Sequence, residues 1–321
     1  MNELEILHKM SEKIKSMKKS NNSMNFIPRQ TISININNEK YYVSLICDEN
    51  WEVQVVLLDK NNNIIYKILK LDGDRASITK LQNNLYVFTD SIAYIFDINN
   101  LKTEPLVVNL GNLYLQGIIA NKNNIFAYSI EKDKIIKYDK NLKPIEEYKN
   151  HYSNEKSRVS LELACNQETF FSIPIMVPTE EQYLLMKKFI QYYINSKTSE
   201  ENDQIHSCSF NDDENTLYIT MYNLIWIIKN GTEFSYLYFK DKAITTALYD
   251  NDLKKLIINF GGSKGNHLSG SIVELSNDEI KKKAIKLTDI SSTFKYSKNL
   301  ESPSAKLLNS SNDEINTKRS R

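Results

Sequence analysis

A recurring pair of short strands constrains this chain more than any other feature. Between Leu81 and Lys102 the sequence reads LQNNLYVFTDSIAYIFDINNLK, where Leu85–Asp90 and Ile92–Asp97 are aliphatic and aromatic runs bounded by polar turn residues. The second strand of comparable sets begins near Tyr41, Leu85, Ile125, Phe170, Leu217 and Leu256, at spacings between 39 and 47 residues. The third strand tends to close on Asp or Asn before a polar turn, at Asp59, Asp97, Asp139 and Asn230. Alternation at a period of two residues places successive side chains on opposite faces of a strand. A four-stranded unit of this size cannot bury both faces alone, so its copies must stack on one another.

The sets follow from Arg29 onward. Thr31–Ile36, Lys40–Cys47, Glu52–Leu58 and Ile64–Leu71 form a first meander, and Ser77–Leu81, Leu85–Thr89, Ile92–Asp97 and Leu106–Leu110 a second. The third is Leu115–Ala120, Ile125–Ile130, Lys134–Asp139 and Ile145–Tyr148; the fourth opens with Arg158–Cys165 and Phe170–Ile173. The fifth is His206–Phe210, Thr216–Met221, Leu224–Ile228 and Ser235–Phe239, and the sixth is Ala243–Tyr249, Lys255–Phe260, Ser271–Leu275 and Ala284–Leu287. The expected fold is therefore all-β: a β-propeller of about six four-stranded blades, with an N-terminal helix and a helical insertion in the fourth blade. The hairpins NNLYVFTDSIAYIFDINNLK and NNIFAYSIEKDKIIKYDKNLKPIEEY resemble the degenerate repeats of YVTN, NHL and WD40-like propellers over roughly Thr31–Leu287. The resemblance implies architecture. The Trp-Asp and Gly-His signatures of WD40 repeats are absent and the chain has only 8 Gly, so it transfers no functional residues.

Three segments depart from the repeat. Residues 1–27 read as an amphipathic helix and linker, because Leu4, Leu7, Met10, Ile14 and Met17 share one helical face flanked by lysines. Residues 28–290 form the expected propeller. Within it, Thr179 followed by Glu180 and Glu181 signals a helix start, and a helix is expected over about 179–196. The alternative makes YLLMKKF and IQYYIN the outer strands of the fourth blade. Residues 291–321, rich in Ser, Asn and Lys, read as a disordered tail.

Lys plus Arg number 41 against 40 Asp plus Glu, so no global field draws the chain to nucleic acid, and none of its apolar runs reaches the length of a membrane span. Cys47, Cys165 and Cys208 are too few and too scattered for a disulfide framework. The N-terminus lacks a signal-peptide core, so a cytoplasmic location is expected. His206 and Cys208 share a strand face, which is one pair and no closed zinc set. Asp59–Asn63 opens like a calcium loop but lacks the required Gly and the final Glu, and Asn211–Asn215 reads as a turn in the same way. No cofactor, metal or catalytic residue is expected.

The expected function is a non-enzymatic scaffold for a protein or peptide partner, without nucleic acid. Candidate contacts lie where the repeat breaks: Leu7, Met10, Ile14 and Met17 on the N-terminal stripe, and Lys264, Asn266 and His267 in the Gly-rich loop after Phe260. Two alternatives stand beside it. One is a propeller hydrolase or lactonase with a divalent metal at the channel mouth, its ligands scattered over several blades. The other is a sensor of a small ligand in the channel.

Overall fold

The computed structural model describes residues 26–71, 76–151, 153, 158, 160–165, 170–174, 205–230, 233–239, 242–261 and 270–286. β1 (Ile27–Ile36), β2 (Glu39–Cys47), β3 (Val53–Leu58) and β4 (Ile64–Leu71) form the first sheet, in chain order. β5 (Ser77–Leu81), β6 (Asn84–Phe88), β7 (Ile92–Asp97) and β8 (Leu106–Asn109) form the second. β9 (Leu115–Ala120), β10 (Ile125–Ser129), β11 (Lys134–Tyr138) and β12 (Pro144–Lys149) form the third. The fourth holds β13 (Leu161–Cys165) and β14 (Phe170–Pro174). β15 (Ser207–Asn211), β16 (Thr216–Thr220), β17 (Leu224–Lys229) and β18 (Glu233–Tyr238) make the fifth, and β19 (Ile244–Asp250), β20 (Lys255–Phe260) and β21 (Ser271–Ser276) the sixth. Every sheet begins with its innermost strand. β1, β5, β9, β13, β15 and β19 each touch the next, and β19 returns to β1, so the sheets close into a propeller around a channel.

The middle strands, such as β3, β6, β10 and β16, are buried along most of their length because their sheets are covered on both faces, while the outer strands β8 and β12 are largely exposed. On β6, Leu85 and Val87 pack towards the first sheet while Tyr86 and Phe88 pack towards the third. On β10, Ile125 and Ala127 face the second sheet and Phe126 and Tyr128 the fourth. An apolar cluster fills each seam between neighbouring sheets.

Six complete four-stranded blades, as expected from the repeat, are not found among the described residues. Among the described residues the sheets hold four, four, four, two, five and three strands. The last strand is the instructive case. Ala284–Leu287 was expected to complete the sixth sheet; instead α1 (Asn277–Lys283) intervenes, and β22 (Ile285–Lys286) pairs with β18 of the fifth. Ser276 caps α1 in a capping box with Glu279, and this turns the chain out of the sixth sheet. The expected helices at Asn2–Ser20 and about 179–196, and the tail at 291–321, lie outside the described residues. No helix among the described residues is long and apolar enough to cross a membrane.

One turn recurs three times with the same hydrogen bonds. Asp48 accepts from the backbone N–H groups of Asn50 and Glu52 at 2.9 and 3.0 Å. Asp59 accepts likewise from Asn61 and Asn63 at 2.8 and 2.9 Å. Asp139 accepts from Asn141 and Lys143 at 2.9 and 2.8 Å. In each, the fourth residue has a left-handed backbone: Trp51 at φ 62°, Asn62 at 61° and Leu142 at 61°. Asn tolerates that conformation, and Leu142 is buried in the seam between the second and third sheets. Trp51 is neither tolerant nor buried.

Candidate functional site at the channel mouth

The six inner strands run the same way along the channel, and the turns that leave them gather at one mouth. A cavity of about 680 Å³ opens there. Its walls are inner-strand aliphatics such as Ile32, Ile78, Ile118 and Leu248, and its rim is polar. The rim residues are turn formers. Asn121 accepts from the N–H groups of Asn123 and Asn124 at 3.0 and 2.9 Å. Asn211 holds Asp213 N and Glu214 N at 3.1 and 3.2 Å, and Asp250 holds Asp252 N and Leu253 N, both at 3.0 Å. Each side chain replaces a backbone acceptor and fixes its turn. Asn215 and Lys254 then close the last two turns with left-handed φ of 47° and 57°.

These two turns are laced together. Asn251 donates to Phe210 O at 3.0 Å and accepts from Asp212 N at 3.0 Å. Asp213 forms an ion pair with Lys254, which holds that ammonium above its usual pKa. Across the mouth, Lys80 reaches Asp252 at 2.8 Å and Asp250 at 3.8 Å, and the hydroxyl of Ser33 donates to Asp250. The carboxylates are thus matched by lysines instead of converging. Among the described residues no three His, Cys, Asp or Glu side chains come together as a metal set.

Deeper in the wall, Glu162 on β13 projects beside Cys208 on β15. It retains part of its surface, yet the surrounding strands strip most of its water, and burial pushes its carboxyl up to about 8. Glu162 therefore stays protonated at neutral pH. Burial, with the charge of Asp212 adding to it, raises Cys165 to about 12, and burial followed by Glu162 raises Cys208 well above the ordinary thiol range. Neither thiol is the low-pKa thiolate that nucleophilic chemistry needs. His206 donates Nδ1–H to Ile244 O at 2.8 Å and Cys208 is buried in the seam of the fourth and fifth sheets, so strand packing accounts for both.

Leu7, Met10, Ile14, Met17, Lys264, Asn266 and His267 all lie outside the described residues. The mouth residues Lys80, Lys122, Asp252 and Lys254 were not singled out in the sequence, and Asp213 was read only as part of the Asn211–Asn215 turn. Their signal was positional: each lies at the end of the first strand of its set.

No protein-family model matches the chain, and no curated protein matches it. Solved structures do. The WD40 domain of Pan2 from Neurospora crassa aligns over 78% of this chain and 75% of that one, at 8% identity and TM-score 0.45. Hsv2 from Kluyveromyces lactis aligns over 86% and 85%, at 13% identity and TM-score 0.37. Apo AztD from Citrobacter koseri aligns over 79% and 81%, at 9% identity and TM-score 0.38. The propeller assignment itself rests on the strand pairing and the closed ring of inner strands.

Proposed function

We propose that this chain is a non-enzymatic binding propeller that seats a polypeptide partner across the channel mouth. One observation carries the reading. Asn121, Asn211 and Asp250, from the third, fifth and sixth sheets, hold rim turns through their own Asx hydrogen bonds, and Lys80, Lys122 and Lys254 stand on the same rim. Such a rim offers hydrogen-bond donors and acceptors and both signs of charge without ordering cost, which suits recognition of a peptide main chain and its polar side chains. A cytoplasmic setting belongs to the same proposal, and cell fractionation checks it.

The test compares affinity capture by the native chain with capture by Lys80→Glu/Lys122→Glu/Lys254→Glu. The reading expects a stoichiometric protein that the native chain retains and the mouth variant loses. Identical captures by the two forms overturn it. A second reading, a small ligand in the channel, is favoured by the cavity volume and its aliphatic walls. A thermal-shift screen that raises Tm for the native chain and not for Ile118→Trp supports it over the first.

A further inference from the structure

Trp51 sits on the opposite face of the propeller, in the turn between β2 and β3, and the residue is 64% exposed. A bulky residue with φ of 62° is an outlier that the rest of the turn must enforce. Asp48 does so: it binds two backbone N–H groups through Oδ1 and Gln54 Nε2 at 2.6 Å through Oδ2. The two sister turns put a tolerant Asn and a core-buried Leu at this position. Only here does the same geometry hold a large aromatic ring in the open. Glu49 beside it is exposed, while Glu52 is paired with Lys70 at 2.6 Å.

The chain itself brings a matching segment to this place. Ile27 pairs with Cys47, so Phe26 lies across from Asp48 at the base of the Trp51 turn. Residues 1–25 precede it. Their half nearest the propeller, Lys13-Ile14-Lys15-Ser16-Met17-Lys18-Lys19, contains no acid and carries the last two apolar residues of the stripe expected to form a helical face. The linker Asn21–Asn25 spans up to roughly 17 Å when extended, which is enough to lay that half over the turn.

We propose that residues Lys13–Lys19 dock on the Trp51 turn of their own chain, with Ile14 and Met17 covering the indole and Lys18 or Lys19 facing Glu49. Thioether and aliphatic contact removes the ring from water, and the ammonium groups complement a turn that carries Asp48, Glu49 and Glu52. The contact lies away from the channel mouth and does not depend on the binding reading above.

Fluorine NMR on full-length chain labelled with fluorotryptophan tests it. The chain has two Trp, so Trp51→Phe assigns the signals and Trp226 reports that the propeller is folded. The native Trp51 signal is expected to lose most of the light-to-heavy-water shift of free fluorotryptophan. Ile14→Asp/Met17→Asp is expected to restore that shift and leave Trp226 unmoved. Glu49→Lys is expected to loosen the contact, and adding Lys18→Glu/Lys19→Glu to re-form it. A full solvent shift at Trp51 in the native chain overturns the proposal, as does protection that the Ile14→Asp/Met17→Asp chain retains. Protection that grows with protein concentration assigns the cover to a second copy and also overturns it.

Discussion

The ring has two unlike arcs. From β15 through β19 and β1 to β5, neighbouring inner strands are tied by side-chain hydrogen bonds. Ser207 and Ser209 accept from Ala247 N and Tyr249 N at 3.0 and 2.9 Å. Thr245 and Thr246 donate to Pro28 O and Arg29 O at 2.7 and 2.8 Å, and Thr31 donates to Asn259 Oδ1 at 2.6 Å. Gln30 bridges onward to both backbone groups of Ile78, at 2.7 and 2.9 Å. Among the described residues, the seams from β5 through β9 and β13 to β15 are mainly apolar, and the crossing from Cys165 to Ala120 O is a thiol contact of 3.1 Å. There β9 and β13 approach so closely that a Cβ on Gly117 would lie 2.9 Å from Leu161 O.

Connection length alone does not divide the arcs, since β18 and β19, and β4 and β5, are joined by short connections within the polar arc. The closing seam joins residues 217 positions apart and has no connection to set its register. Directional hydrogen bonds supply the register there, since apolar contact alone tolerates a slip. The charged side of the mouth, with Asp213, Asp250, Asp252, Lys80 and Lys254, stands on that polar arc.

The largest effect is expected in the dry arc. Gly117→Ala places a side chain at φ 54° against the backbone of Leu161 and Leu163, and a loss of roughly 2–4 kcal/mol is expected in chemical denaturation. Gly111→Ala is the control: its φ is 67° but a Cβ meets nothing within 4 Å, so only the backbone strain of about 1 kcal/mol remains. Equal losses at the two sites would show that close approach is not what the dry arc depends on.

In the polar arc, Asn259→Ala leaves the buried hydroxyl of Thr31 and the half-buried hydroxyl of Thr246 each short of one partner, and a loss of about 2–3 kcal/mol is expected in the same assay. Val56→Ala, in the apolar cluster of that same seam, separates packing from register. If hydrogen bonds set the register, Asn259→Ala broadens the native NMR spectrum and Val56→Ala lowers stability without broadening it.

Glu162 makes the dry arc sensitive to pH. Its carboxyl titrates near 4.5 when unfolded and at about 8 in the fold, so the native state binds the extra proton between those values. Its contribution to stability is complete below the lower value and is lost as pH rises through about 8. Glu162→Gln is expected to flatten the fall of Tm between those two values and to be the more stable chain at high pH, by on the order of a few kcal/mol. A parallel pH profile for the two chains would refute it. The smallest effect belongs to the rim. Lys80→Met removes an ion pair with exposed Asp252 and a looser one with Asp250, whose carboxylate keeps its bonds to Ser33, Asp252 N and Leu253 N, and is expected to change stability by less than about 0.5 kcal/mol. Any loss of partner capture by that variant then belongs to recognition.

Much of the scaffold was legible along the chain. The apolar runs of Leu85–Phe88 and its counterparts located most strands within a residue or two, though β1 begins at Ile27 and not Thr31 and β13 at Leu161 and not Arg158, and Asp59 and Asn211 were readable as turn formers. The capping box Ser276–Glu279 was equally written in the sequence, but the repeat argued for a strand and hid it. The mouth was not legible, because Lys80, Asp213, Asp252 and Lys254 meet only once the ring closes.

The sequence by itself determined the elements: short aliphatic and aromatic runs make strands, and Asx residues at their ends make turns. Tertiary structure alone decided how they associate. Which strand takes β22, which arc is tied by hydrogen bonds, and that Glu162 lies away from water all depend on neighbours remote in the chain. Burial and long-range pairing are properties of the assembled ring, and no local pattern encodes them.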